Sequence, residues 1–312
     1  MKINPSFVLF SCVVLSGQAF GLVRHYDPYE TSNGDPTGPF QWFARFNGNA
    51  AAIAIGPNHI LTTRHQGGGV GSTVVFPNGP NAGTYTVNSQ TLIGGANTDL
   101  RVLTISGTLS TYASLYTGST SGKTALIGGF GPTRGSTFYT NSSSQLIGYS
   151  VSTPSGNSYS LLFGQNRIDA LGTSGGTWNT TPLLLADFDG PESVSSPYTG
   201  IAPAATDKVD YEAALAEGDS GGGWFINVSG TWKLAGLSHA SSLVRINGGV
   251  VGDYSNPANG TPAFLFGGQI AAVDLTPFYS EITSSIPEPT CLGVIMIGGI
   301  FLTRRRYQSR PQ

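Results

Sequence analysis

Apolar residues in this chain fall into short runs separated by Gly, Pro, Asn and Ser. The runs lie at residues 51–55, 74–76, 84–87, 100–105, 124–127, 183–186, 223–226 and 233–237. Before the C-terminal end, no segment of length repeats with the 3.6-residue period of an amphipathic helix. Many short strands between frequent turn signals predict an all-β barrel or sandwich. Gly128-Gly129-Phe130-Gly131-Pro132 is a strong break near the middle, and residues 133–157 and 172–179 read as surface loops rich in Ser, Gly and Thr. One short helix is predicted over residues 277–282, with Thr276 as its N-cap and Pro277 at the first helical position.

Composition sharpens this picture. The chain has 312 residues, of which 39% are hydrophobic and only 10% charged, against about 25% charged in an ordinary domain. Helical bundles need charged wet faces, so the composition disfavours them, and disorder driven by charge excess is excluded. Between residues 22 and 286 there are ten Lys and Arg against sixteen Asp and Glu, a net charge of −6. A mildly acidic body offers no footprint for nucleic acid. No metal cluster, phosphate loop or dinucleotide fingerprint appears, so no cofactor is expected.

The two ends have a different character. Residues 1–21 carry Lys2, an apolar stretch and small residues at Ala19 and Gly21, the layout of a secretory signal peptide with cleavage after either position. The other end reads Pro287-Glu288-Pro289, then an apolar run over residues 291–302, then Arg304-Arg305-Arg306. Twelve apolar residues fall short of the roughly 17–25 of an ordinary spanning helix, although flanks and tilt extend their reach. The Arg triplet would hold its end cytoplasmic. This order closely resembles a PEP-CTERM sorting tail. The resemblance implies export machinery, transient anchoring of an apolar transmembrane helix in the inner membrane, and an exosortase-type sorting enzyme. The mature protein would then reach the cell-envelope surface or the outside; a plain membrane anchor is the other reading of the tail. Cys12 and Cys291 both lie in these end segments, so the body between them must fold by core packing alone.

Three runs carry candidate chemistry. In Glu217-Gly218-Asp219-Ser220-Gly221-Gly222-Gly223, a serine on a glycine-rich turn can expose its hydroxyl, and the bare backbone can approach a substrate carbonyl. In residues 51–65 a strand, a Pro-Asn turn and a second strand deliver His65 at its end, where a neutral imidazole can act as base. His59 lies within the turn and is the weaker choice. In residues 97–105, Asp99 precedes an alternating strand and can receive the imidazole's other N–H. The order His65, Asp99, Ser220 gives each of these residues its value.

On these runs the chain resembles the trypsin/chymotrypsin-type serine proteases. Residues 60–65 are similar to the family's strand ending in Thr-Ala-Ala-His, residues 98–103 to its Asp-Ile-Ala-Leu-Leu strand, and residues 218–222 to its nucleophile loop. Gly129-Phe130-Gly131 resembles the Gly-Trp-Gly that opens the second barrel, and residues 234–238 resemble the strand after the nucleophile. The likeness covers roughly residues 36–284. It implies two six-stranded antiparallel β-barrels: residues 22–121 would hold the first, with His65 and Asp99, and residues 122–284 the second, with Ser220. Residues 285–312 form the tail.

The resemblance further implies a serine endopeptidase acting on protein or peptide through an acyl-enzyme, with the N–H groups of Gly218 and Ser220 as oxyanion hole. Ala214, six residues before the nucleophile, takes the place at the bottom of the specificity pocket. With no Asp there, a small or apolar substrate side chain is expected, and Glu217 and Ser238 are further specificity candidates. His239 is either a binder of an acidic substrate side chain or a structural histidine. Arg64 beside the base, Gly223 in place of the usual Pro, and a mature start near Leu22 depart from the family's pattern. The alternatives are a catalytically silent protease-fold binding module and a surface-structural β-protein.

Overall fold

The computed structural model describes residues 10–11, 22–24, 38–48, 50–152, 160–190, 208–248, 250–253 and 260–286. Most of the signal-like segment 1–21 and the whole sorting motif, Pro287, Glu288, Pro289 and Arg304 to Arg306, lie outside the described residues. Among the described residues no helix is long and apolar enough to cross a membrane.

The first half is a closed six-stranded barrel. Its strands are Phe43–Phe46, Ala50–Gly56, His59–Thr62, Thr73–Phe76, Gly83–Leu92 and Arg101–Ile105, all paired antiparallel. Ala50–Gly56 shows why the sequence there reads as one unbroken apolar run. Successive strand residues face opposite ways, and here both faces are buried. Ala50, Ala52 and Ala54 point into the barrel core, while Ala51, Ile53 and Ile55 join a second core shared with the other half.

The second half departs from the expected second six-stranded barrel. Among the described residues its hydrogen bonds trace two large sheets, a two-stranded pairing of Val23–Arg24 with Ala213–Ala214, and no second closed ring. The larger is eight-stranded and runs through Leu162–Arg167, Thr124–Gly129, Gly223–Val228, Thr231–Ser241, Gln269–Asp274, Pro182–Asp187 and Ala170–Thr173, with Ser114–Leu115 paired at its side. The smaller contains the Thr133–Thr140 and Leu146–Ser152 hairpin, the strands Thr261–Leu265, Val244–Asn247 and Val250–Asp253, and the short strand Phe10–Ser11 at its edge. Part of the stretch predicted as a surface loop, residues 133–157, is therefore sheet. Its inward Tyr139, Ile147, Tyr149 and Val151 supply the buried side chains, while polar residues between them gave it a loop-like composition.

A shared core joins the halves. Phe43 of the barrel meets Phe163 and Phe225 of the large sheet at ring-centre distances of 5.1 and 5.6 Å. The predicted helix is present as a 3-10 turn over Thr276–Phe278 followed by the α-helix Tyr279–Ser284. Thr276 does not cap it with its side chain; its N–H is instead held by Asp274 Oδ1 at 2.9 Å.

Candidate active site

Strand register brings the candidate base and acid together. Thr62 pairs with Arg101 across two antiparallel strands. His65 follows Thr62 and Asp99 precedes Arg101, so both emerge at the same end of the barrel. Asp99 is fully buried, and its Oδ1 accepts the N–H groups of Arg64 at 2.7 Å and His65 at 2.8 Å. Its Oδ2 lies 2.6 Å from His65 Nδ1. Burial pushes this carboxyl up, but the hydrogen bonds from His239 and His65, with the His65 charge, outweigh it and hold Asp99 well below the usual carboxylate range. A carboxylate that stays ionised beside Nδ1 leaves the lone pair of Nε2 facing outward.

The candidate nucleophile comes from the other half. Ser220 sits in a loop before the strand Gly223–Val228, and its Oγ is 2.8 Å from His65 Nε2. The loop is tied on both sides. The Ser220 carbonyl accepts the N–H of Ala51 in the barrel at 2.9 Å, and Gly221 N–H donates to Ser238 O at 2.8 Å. Gly218 takes a φ of +97°, a backbone shape that costs a side-chain-bearing residue free energy.

Asp219 locks this loop from beneath. It is fully buried; Oδ1 accepts the Gly131 N–H at 2.7 Å and Oδ2 accepts the Ala216 N–H at 2.8 Å. A Cβ on Gly131 would sit 2.8 Å from this carboxyl, so the Gly129-Phe130-Gly131 run is small because Asp219 needs the room. Burial raises the Asp219 carboxyl to about 7 against the pull of the two N–H groups.

Arg64 does not crowd the nucleophile. Its guanidinium turns to the carbonyls of Gly95, Ala96 and Thr98 at 2.7–3.2 Å and lies 4.8 Å from the centre of the Trp178 ring. It clamps the loop that presents Asp99. The residues missed in the sequence are those of the 174–181 loop. Thr181 Oγ1 accepts the N–H of Asp99 at 2.8 Å, and Thr180 Oγ1 meets Thr98 Oγ1 at 3.0 Å. Nothing in a Ser- and Thr-rich stretch singles these two out.

Beside Ser220 a cleft of about 260 Å³ is lined by Leu215, Ala216, Glu217, Ser220, Ser238, His239, Ala240, Ser241 and Leu243. Of the four specificity candidates, Glu217, Ser238 and His239 line this cleft. Ala214 does not: it is fully buried, paired with Val23, and absent from the lining. The His239 ring is engaged elsewhere, with Nδ1 2.7 Å from Asp99 Oδ2 and Nε2 3.0 Å from Ser174 Oγ. His59 is buried with Nδ1 unpartnered and its basicity lowered by burial, as befits a core residue.

His65, Asp99 and His239 are also the group among the described residues with ligand atoms close enough to share a metal. Their N···O separations of 2.6 and 2.7 Å are hydrogen bonds. An ion with bonds of about 2.0 Å to each atom would have to push them apart. A hydroxyl, an imidazole and a buried carboxylate in hydrogen-bonded series form a constellation suited to nucleophilic acyl transfer.

By sequence no family model and no curated protein matches the chain. Among solved structures it is similar to neuropsin, a serine protease expressed in the limbic system of mouse brain. That likeness has 11% identity and a TM-score of 0.43, covering 80% of this chain and 96% of the other.

Proposed function

We propose that this protein is a serine endopeptidase. The observation that carries the reading is the 2.8 Å approach of Ser220 Oγ to His65 Nε2, with Nδ1 of the same ring on the buried Asp99. Ser220 Oγ attacks a peptide carbonyl while its proton passes to His65 Nε2. The oxygen gains negative charge, and the N–H groups of Gly218 and Ser220 receive it. His65 then returns the proton to the leaving amine, and an acyl-enzyme remains. Water repeats the cycle: its proton passes to His65 as its oxygen bonds to the acyl carbon. The acyl–Oγ bond then breaks as His65 returns the proton to Ser220, and the carboxylic acid product leaves. Asp99 fixes the ring and balances its positive charge.

The cleft beside Ser220 has Leu215, Ala216, Ala240 and Leu243 in its lining, which favours a small or apolar substrate side chain. The signal-like residues 1–21 and the tail from residue 285 support export, transient membrane anchoring and sorting to the envelope or beyond by an exosortase-type enzyme.

The test is covalent labelling by a fluorophosphonate probe. The wild type should label, and Ser220→Ala and His65→Ala should not. Peptide hydrolysis should fall about 10⁴-fold in Asp99→Asn and on the order of 10⁶-fold in Ser220→Ala. A folded wild type that never labels would overturn the reading in favour of a binding module. A peptide library cleaved mainly after Lys or Arg would overturn the specificity.

A further inference from the structure

We propose that His239 is a positioning residue: its Nδ1–H donates to Asp99 Oδ2, the oxygen that also receives His65 Nδ1–H, and so fixes the carboxylate against the base. The inference rests on the hydrolytic reading above and deepens it.

A carboxylate offers about four lone-pair sites. At Asp99 four donors fill them: the N–H groups of Arg64 and His65 on Oδ1, and the two imidazoles on Oδ2 at 2.6 and 2.7 Å. With every site taken, the carboxyl cannot rotate without breaking a buried hydrogen bond. His239 is placed for this by the strand Thr231–Ser241, whose pairing with Gln269–Asp274 slips between Ser238 and Ala240. Such an irregularity re-aims a side chain. The two rings meet edge to face with centres 5.6 Å apart.

The far side of the ring closes a circuit. With Nδ1 protonated, neutral His239 presents Nε2 as an acceptor, which Ser174 Oγ–H satisfies at 3.0 Å. Ser174 N–H donates to Thr181 O at 2.9 Å, and Thr181 Oγ1 accepts the Asp99 N–H at 2.8 Å. The circuit Asp99–His239–Ser174–Thr181 therefore anchors an acid carried by the barrel to elements of the other half. A ring engaged at both nitrogens offers no free N–H to an acidic substrate side chain, which favours the structural reading of His239 over the acid-binding one.

The experiment compares His239→Asn, His239→Gln and His239→Ala with the wild type. The Asn side-chain nitrogen stands where Nδ1 does and reaches Asp99, whereas the Gln nitrogen stands where Nε2 does and reaches only Ser174. We expect kcat to fall about tenfold to a hundredfold in Ala and Gln, as for a misplaced catalytic group. KM should stay within about threefold, and Asn should restore most of kcat. Equal kcat in Asn and Ala, or an effect confined to KM, would overturn the proposal. A second readout needs no turnover: proton NMR of the resting protein should show a low-field His239 ring N–H that moves in Asp99→Asn. A signal indifferent to Asp99→Asn would refute the contact. Failure of the hydrolytic reading itself would appear separately, as a wild type that fluorophosphonate never labels.

Discussion

Asp219 is the residue beneath the nucleophile, and it is a buried carboxyl whose two oxygens accept N–H groups from Gly131 and Ala216. Its value rises from an ordinary 3.8 to about 7, with burial as the leading cause. A group raised in the folded state contributes stability that is fully present below the unfolded value and lost as pH climbs through the folded one. The window is therefore pH 3.8 to about 7, and the shift corresponds to on the order of 4 kcal/mol. Asp99 acts with the opposite sign: held low, its contribution is present above the ordinary carboxylate value and lost as pH falls below it. Thermal unfolding followed from pH 4 to 8 should show a decline in Tm that flattens in Asp219→Asn. Parallel curves for the two proteins would refute the assignment. Asp219 was legible in the sequence as the neighbour of Ser220, but its two N–H partners were not, because one lies 88 positions away.

At the scale of elements, the 174–181 loop decides how firmly the acid is held. Its Thr181 is fully buried and accepts the Asp99 N–H. Thr181→Val keeps the shape and removes the acceptor, leaving a buried N–H unsatisfied, which costs about 1–3 kcal/mol. Chemical denaturation should show that loss, with kcat reduced and fluorophosphonate labelling slowed. Unchanged stability would mean that another acceptor replaces the hydroxyl. The strand pattern itself was readable: the apolar runs at residues 51–55, 124–127, 223–226 and 233–237 all lie within observed strands. The hairpin over residues 133–152 was not, since its Ser, Thr and Gly content reads as loop although Leu146–Ser152 is buried at five successive positions.

For the whole molecule, two halves share one apolar core in which Phe43, Phe163 and Phe225 meet. That core and the Ala51–Ser220 hydrogen bond hold His65 and Ser220 in register across the junction. The ends of the chain belong to this scale too. Export predicts a mature protein that begins after Ala19 or Gly21 and lacks the residues beyond the Pro287-Glu288-Pro289 motif. Intact-mass measurement on protein recovered from the cell envelope or medium checks both cuts. Recovery of the uncut chain from the cytoplasm would contradict the export proposal.

The sequence alone determined the strand-rich class and singled out His65, Asp99 and Ser220, which lie in hydrogen-bonded series, because alternation, turn chemistry and a short glycine-flanked serine motif are local properties. Only the tertiary structure decided what surrounds them. Ala214 is buried and paired with Val23, Arg64 clamps the loop before Asp99, and His239, in the cleft wall, has its ring on the carboxylate. Each outcome depends on contacts between residues far apart in the chain. Such contacts are set by the packing of the two halves, which no local pattern encodes.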